Sequence, residues 1–401
     1  MATVIAGIGE LTTNDAELGR VHDAAVVLEG DRIAWVGRSA DAPAADERFD
    51  AAGRAVLPGW VDSHTHLVFA GDRTAEFEAR MAGEAYAAGG IGVTVGATRA
   101  ASDDELRANL DRLVGELHRG GTTAFETKTG YGLTVNDEMR SARTAAERAD
   151  AVTFLGAHLV PEEHRGSPDA YLDLVTGPML EAVAPLVDAI DVFCERGAFD
   201  EAQSRRVLEA GRDAGLALRV HGNQLGPGPG VRLAVELGAR SVDHVAFLDD
   251  DEIAALAGTW ADGARGTVAT VLPACDLSTR MPLAPARALV DAGAVVAIAT
   301  NCNPGTSYTT SMAFCVATAV LQMRLTIDEA VRAATLGGAI ALGRDEPTTA
   351  ADGAALPELG RIRVGARADL QLLDAPSIAH LAYRPGVPLV RAVWRAGERV
   401  A

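Results

Sequence analysis

The sequence has no CxxC pair, no excess of cationic residues, and no apolar run long enough to cross a bilayer without meeting glycine or charge. Each absence excludes something. The four cysteines, Cys194, Cys275, Cys302 and Cys315, are scattered and read as buried free thiols of a reducing cytosol rather than a disulfide framework. Lys and Arg number 36 against 55 Asp and Glu, a formal net charge of -19. So acidic a chain argues against nucleic acid and anionic membranes as partners. The opening MATVIAGIGELTTND lacks a basic stretch followed by an apolar core, so no signal peptide is expected, and the chain is expected to be soluble and cytoplasmic. What is present is ample apolar material. With 401 residues, 48% of them hydrophobic, the chain is too long for one small domain and calls for a large barrel or two domains.

Residues 1–57 read as short strands. AAVVLEGDRIAWVGR is a strand, a Gly-Asp turn and a second strand, which is a hairpin signal. From Pro58 the pattern changes. Eight short apolar runs follow: VDSHTHLVF, TTAFETKTG, VTFLGAHLV, IDVFCERGAF, LALRVHGNQ, SVDHVAFL, TVATVLPAC and VVAIATNCN. Helical stretches such as SDDELRANLDRLVGELHRG separate them, with Ser102 and Glu105 at capping-box spacing. Eight alternating strand–helix units predict an α/β fold, a (β/α)8 TIM barrel over residues 58–358. Residues 345–358 read as a Thr/Ala/Pro-rich loop within that span. Residues 359–401 return to strands and turns, so 1–57 and 359–401 are expected to form one discontinuous β-sandwich domain.

In such a barrel chemistry gathers where the strands end. The first run ends at His64 and His66, the third at His158, the fifth at His221 and the sixth at His244. The eighth ends at Asn301, followed by Cys302, Asn303, Pro304, Gly305 and Thr306. Residues i and i+2 of a strand share a face, so His64 and His66 are expected to project together. A lone histidine at a strand end is more often a hydrogen-bonded structural residue than a ligand. An HxH pair on the first strand, with single histidines on later ones, points instead to a metal, for which neutral imidazole is a common ligand. His22, His118, His164 and His380 stand outside this pattern.

These residues carry a family resemblance. PGWVDSHTHLVFAGDR resembles the first-strand signature of the amidohydrolase superfamily, and GRIRVGARADLQLLD resembles a segment of its small β-domain. Within it, the chain resembles the imidazolonepropionase family of histidine degradation along almost its whole length. The stretches carrying this are HLVFAGDRTAEF, ETKTGYGL, FLGAHLVP, DVFCERGAFD, HGNQ, VDHV, NPGTS and AYRPGVPLV.

The resemblance implies a hydrolase that opens 4-imidazolone-5-propanoate with water to give N-formimidoyl-L-glutamate. It implies one divalent ion, Zn or Fe, with His64, His66, His221 and residue 301 at the metal positions. It implies His244, Gln224 and residue 301 as catalytic residues, His244 orienting water or the forming oxyanion and Gln224 facing the ring. Substrate positions fall on Arg73, Tyr86, Tyr131, His158, Gln224, Asn303, Gly305 and Thr306; the segment around Tyr86 looks shortened. The implied partner is a small molecule, and the implied assembly a homodimer.

Arg73 suits a fork on the propanoate; the alternative is a surface arginine paired with Asp72 or Glu76. Glu126 and Lys128 share a face of the second strand and read as an internal ion pair. The fourth run contains no lysine, which favours one metal over a lysine-bridged pair. Asn301 departs from the family, which carries aspartate there; asparagine is neutral and cannot return a proton. Asp276, after the seventh run, is the nearest rim carboxylate by topology. The departure fits an imidazolonepropionase scaffold with reduced turnover. A nucleobase-type deaminase or another cyclic amidohydrolase on this fold, and a non-catalytic binder of imidazolone-like ligands, remain as alternatives.

Overall fold

The computed structural model describes residues 1–83, 90–350 and 353–401. Five strands come first: β1 (Ala2–Thr12), β2 (Arg20–Glu29), β3 (Arg32–Arg38), β4 (Glu47–Asp50) and β5 (Ala55–Pro58). Eight follow: β6 (Trp60–Asp62), β7 (Thr122–Lys128), β8 (Ala151–Ala157), β9 (Ala189–Cys194), β10 (Ala217–Gly222), β11 (Ser241–His244), β12 (Val268–Val271) and β13 (Val296–Ile298). The last are β14 (Thr348–Thr349), β15 (Ala355–Leu356), β16 (Leu370–Leu373), β17 (Val390–Arg395) and β18 (Glu398–Arg399). The described residues divide into two compact units, one of Met1–Asp62, Gly115–Ala124 and Ser311–Ala401, the other of Ser63–Val114 and Phe125–Thr310.

In the first unit both chain ends build one sheet, in the order β18-β17-β16-β5-β1-β2-β3, with β4 also paired to β1. β2 and β3 are the expected antiparallel hairpin, turned at Gly30 (φ 58°). One face of the sheet buries Ile5, Ile8, Leu11, Val26, Leu28, Val56, Leu370, Leu372 and Trp394 together. The stretch 345–358, expected as a plain loop, carries β14 and β15 as a short antiparallel ribbon.

β6 to β13 are the eight runs singled out in the sequence, and they lie side by side in chain order as one eight-stranded sheet. The pairings from β7 to β13 are parallel. These strands are buried almost throughout, which is why they read as apolar runs rather than alternating ones. The ends of the sheet approach each other beyond the strands. Thr65 bridges Cys302 in parallel fashion, His66 N–H donates to the Cys302 carbonyl (2.9 Å), and Asn301 N–H donates to the His64 carbonyl (3.0 Å). The fold is therefore an α/β barrel of the TIM type, closed beside the first histidine pair.

Helices start where the sequence signals them. Ser102 Oγ accepts from Glu105 N–H (3.2 Å), and Glu105 carboxylate accepts from Ser102 N–H (2.7 Å). The helices Glu201–Asp213 and Asp250–Gly258 open with full capping boxes at Asp200 and Asp249.

Candidate active site

All described site residues belong to the second unit. His66, Arg73, Tyr131, His158, His221, Gln224, His244, Asn301, Asn303 and Thr306 line one pocket. Ile91 and Phe193 also line it and carried no polar signal in the sequence. Tyr86 lies outside the described residues.

His64 lies fully buried beneath the pocket. Strand β6 ends at Asp62, but the chain stays extended through Thr65, whose carbonyl accepts from Lys128 N–H (2.9 Å). His64 and His66 consequently project together, with their Nε2 atoms 3.3 Å apart. His221 joins them from β10, and ligand atoms of the three rings all lie within 4.8 Å of one another.

Two carboxylates orient the set. Asp243 Oδ2 lies 2.7 Å from His64 Nδ1, and Asp191 Oδ2 lies 3.0 Å from His221 Nδ1. Asp243 accepts from His64 Nδ1–H and Asp191 faces His221 Nδ1, an arrangement that leaves Nε2 of both rings to face inward. Burial, reinforced by the Lys128 charge, holds His64 well below its usual range; burial, reinforced by His64, does the same for His66. Unprotonated nitrogens brought this close repel one another unless a cation lies between them. The donor set therefore fits a divalent metal held by neutral imidazoles.

The chain matches the amidohydrolase family over residues 55–400. It is 65% identical over 406 residues to the imidazolonepropionase of Paenarthrobacter aurescens (strain TC1), covering 100% of this chain and 98% of that one. It is 66% identical over 399 residues to the imidazolonepropionase of Saccharopolyspora erythraea, covering 100% and 99%. The chain belongs to the amidohydrolase family, in its imidazolonepropionase branch. Solved structures share the fold at low identity. One is an adenosine deaminase from Xanthomonas campestris with bound zinc (TM-score 0.73, 22% identity, 99% and 92% coverage). Another is the atrazine chlorohydrolase TrzN from Arthrobacter aurescens TC1 complexed with zinc (TM-score 0.72, 18% identity, 99% and 94% coverage).

Around the amidohydrolase histidines the pocket is shaped by polar anchors. His158 Nδ1 donates to the Gly130 carbonyl (2.9 Å), and burial pulls the ring down to about 3. It is thus a neutral imidazole stacked on His66, with ring centroids 5.7 Å apart. Tyr131 is held by the loop Gly130–Leu133, whose N–H groups at 130, 132 and 133 donate to Glu138. Gly130 must be glycine: it has φ 106°, and a Cβ would lie 2.8 Å from the Leu155 carbonyl oxygen.

Arg73 is buried yet gripped by Glu76, donating from Nε (2.8 Å) and Nη2 (2.7 Å). Asp72 is otherwise engaged, accepting from Thr74 N–H (2.8 Å). The Glu76 pairing foreseen as an alternative is present, and the guanidinium still lines the pocket. Gly305 does not line it; the glycine makes room, because a Cβ there would meet Arg73 Nη1 at 2.1 Å. Asn303 Oδ1 accepts from the N–H groups of Gly305 and Thr306, both at 2.8 Å, and so fixes the NPGTS turn.

His244 ends β11 with φ 81°, and Asn301 follows β13 with φ 53°. Non-glycine residues in the left-handed region cost backbone energy and concentrate at functional sites. Burial, then the neighbouring His221, holds His244 well below its usual range, so it too is a neutral ring. Asn301 Oδ1 accepts from Asn303 Nδ2 (3.2 Å).

Sequence reasoning missed three groups. Asp191 and Asp243 sat inside apolar runs and looked like strand residues. Cys275, read only as a buried free thiol, lies with Sγ 3.9 Å from His244 Nδ1 and 3.7 Å from Gln224 Nε2. Asp276, noted only by topology, is buried beside them, and burial pushes its carboxyl up to about 8. No described helix is long and apolar enough to cross a membrane.

Proposed function

We propose that this chain hydrolyses 4-imidazolone-5-propanoate to N-formimidoyl-L-glutamate, with one divalent metal, Zn or Fe, held by His64, His66, His221 and the amide oxygen of Asn301. The observation that carries the reading is a three-imidazole cluster, two of whose rings line one pocket together with a buried arginine. The chain's identity to imidazolonepropionases along its whole length supports it.

A divalent ion in such a site raises the acidity of its water to a pKa of about 7 and polarises a carbonyl. The remaining work falls to the chain. Asp243 and Asp191 hold His64 and His221 in the tautomer that presents Nε2. Arg73, prealigned by Glu76, receives the propanoate carboxylate through charge-assisted hydrogen bonds. His158 keeps Nε2 as an acceptor, because Nδ1 donates to Gly130, and so holds a ring N–H of the substrate. Tyr131, Asn303 and Thr306 line the substrate's other flank, with Tyr86 assigned there by resemblance and Gly305 leaving space for Arg73. Gln224 faces the ring being opened. His244, a neutral ring, donates to the oxygen on which negative charge grows as water adds to the ring carbonyl carbon. The C–N bond then breaks, and the leaving ring nitrogen takes the proton that water gives up on adding to the carbon. Asn301 cannot deliver that proton, so turnover is reduced. Family resemblance adds a homodimer to the same reading, and the scattered free thiols add a cytoplasmic location.

The test is hydrolysis of freshly prepared imidazolone propanoate by metal-loaded protein. Formimidoyl-glutamate should accumulate, and Arg73→Ala should raise KM about ten- to a hundredfold, the weight of a hydrogen bond between charged groups. An unchanged KM would favour a ring substrate without a carboxylate, such as a nucleobase. Saturable binding without product would favour a binder.

A further inference from the structure

Lys128 is the sole lysine of the chain; every other one of the 36 cationic side chains is arginine. It is also among the most deeply buried large side chains, fully enclosed in the barrel. A chain that meets every other cationic need with arginine keeps one ammonium at this position, so the chemistry of the ammonium itself is the natural place to seek the reason.

The surroundings supply it. Lys128 Nζ lies 2.9 Å from Glu126, 2.9 Å from Asp191 and 3.8 Å from Asp243. The last two are the aspartates that face His221 and His64. Lys128, Asp191 and Asp243 come from β7, β9 and β11, alternate strands of the barrel. Alternate strands contribute side chains to one interior layer. The histidines sit just above that layer, at strand ends.

We propose that Lys128 is a positioning residue for the metal centre: its ammonium ties Asp191 and Asp243 together, and through them fixes the orientation of His221 and His64. The inference rests on the metal reading of those histidines. An ammonium is a compact point charge that attracts carboxylates arriving from separate strands, whatever their direction of approach; here it donates to Glu126 (2.9 Å) and pairs by charge with Asp191 and Asp243. A guanidinium is a flat fork that matches one carboxylate at a time. Arginine is already present one layer position away, where Arg219 donates to the Ser63 carbonyl (2.8 Å) and lies 3.5 Å from Glu126. Glu126, Asp191 and Asp243 thus converge on Lys128, with Arg219 beside Glu126. Without Lys128 the two aspartates would repel each other and lose their fixed positions, and the imidazoles would lose theirs with them.

The chain's composition makes the test unusually clean. Labelling with carbon-13 lysine at Cε gives one lysine resonance from the whole protein. Loading the apo protein with zinc should shift that resonance, because the carboxylates it touches tighten on the metal-bound histidines. Lys128→Met should lower zinc affinity about ten- to a hundredfold by chelator competition, the usual effect of removing a group that orients metal ligands. Lys128→Arg, which keeps the charge but not the geometry, should lose at least about tenfold by the same mechanism. If Lys128→Met alone does not fold, the double variant Lys128→Met/Glu126→Gln removes one charge of each sign and should show the same loss. A purely structural lysine would lower thermal stability and leave the zinc affinity of folded protein unchanged. Affinities within twofold of wild type in Lys128→Arg and the double variant, or a lysine resonance indifferent to zinc, would overturn this proposal alone. A wild-type protein that binds no zinc at the histidines would overturn both it and the metal reading.

Discussion

Asn301→Asp raises the ring-opening rate of the metal-loaded protein by at least about tenfold, because general acid–base groups are typically worth a hundred- to ten-thousandfold. The substitution restores a group that can ligate through an oxygen and also carry a proton to the leaving nitrogen. Asn301 Nδ2 donates to Thr306 Oγ1 (3.4 Å), and that hydroxyl can turn to donate to a carboxylate oxygen instead. Asn301 Oδ1 already accepts from Asn303 Nδ2, and a carboxylate oxygen accepts the same hydrogen bond. The backbone at 301, with φ 53°, suits aspartate as well as asparagine, since both tolerate the left-handed region. Initial rates on fresh substrate, with metal content measured on the same sample, decide the matter. A variant that binds metal and gains nothing would contradict the role given to residue 301 and move the proton to another carrier.

His221→Ala has the opposite effect. It removes one of three imidazoles and leaves Asp191, fully buried, without the ring it faces. Burial alone would raise the Asp191 carboxyl, yet His221 and Lys128 outweigh burial and hold it below its ordinary range. Metal content should fall from one ion per chain to a small fraction. The rate should fall on the order of a thousandfold or more, as expected when water loses the activation a metal gives it. Full metal occupancy in this variant would show that the ion sits elsewhere.

The barrel was legible because its strands are buried on both faces and end in polar residues. Eight apolar runs, five of them ending in His, Gln or Asn, leave few other arrangements, and those runs are β6 to β13. The histidine cluster was legible for the same reason, since strand ends of a barrel point to one mouth. What holds the histidines was not. Asp191 and Asp243 went unremarked within IDVF and SVDH, because nothing local says that Asp191 faces a ring on the next strand and Asp243 one that follows β6. Lys128 was paired with Glu126 on the strength of their spacing, and that contact is present. Its contacts with Asp191 and Asp243 join residues more than sixty positions apart and leave no local trace. Its uniqueness in the composition was the one available signal. Cys275 read as one free thiol among four, because sequence says nothing of which ring a buried thiol touches. The ribbon in 345–358 is two residues a side, too short for any alternation to register.

The central claim is that the imidazoles of His64, His66 and His221 share one cation. X-ray absorption at the metal edge of the purified holoprotein tests it most directly. The account predicts one ion per chain whose first shell contains three imidazole nitrogens, reduced in number in His66→Ala. A shell of oxygen or sulfur ligands without imidazole scattering would contradict it.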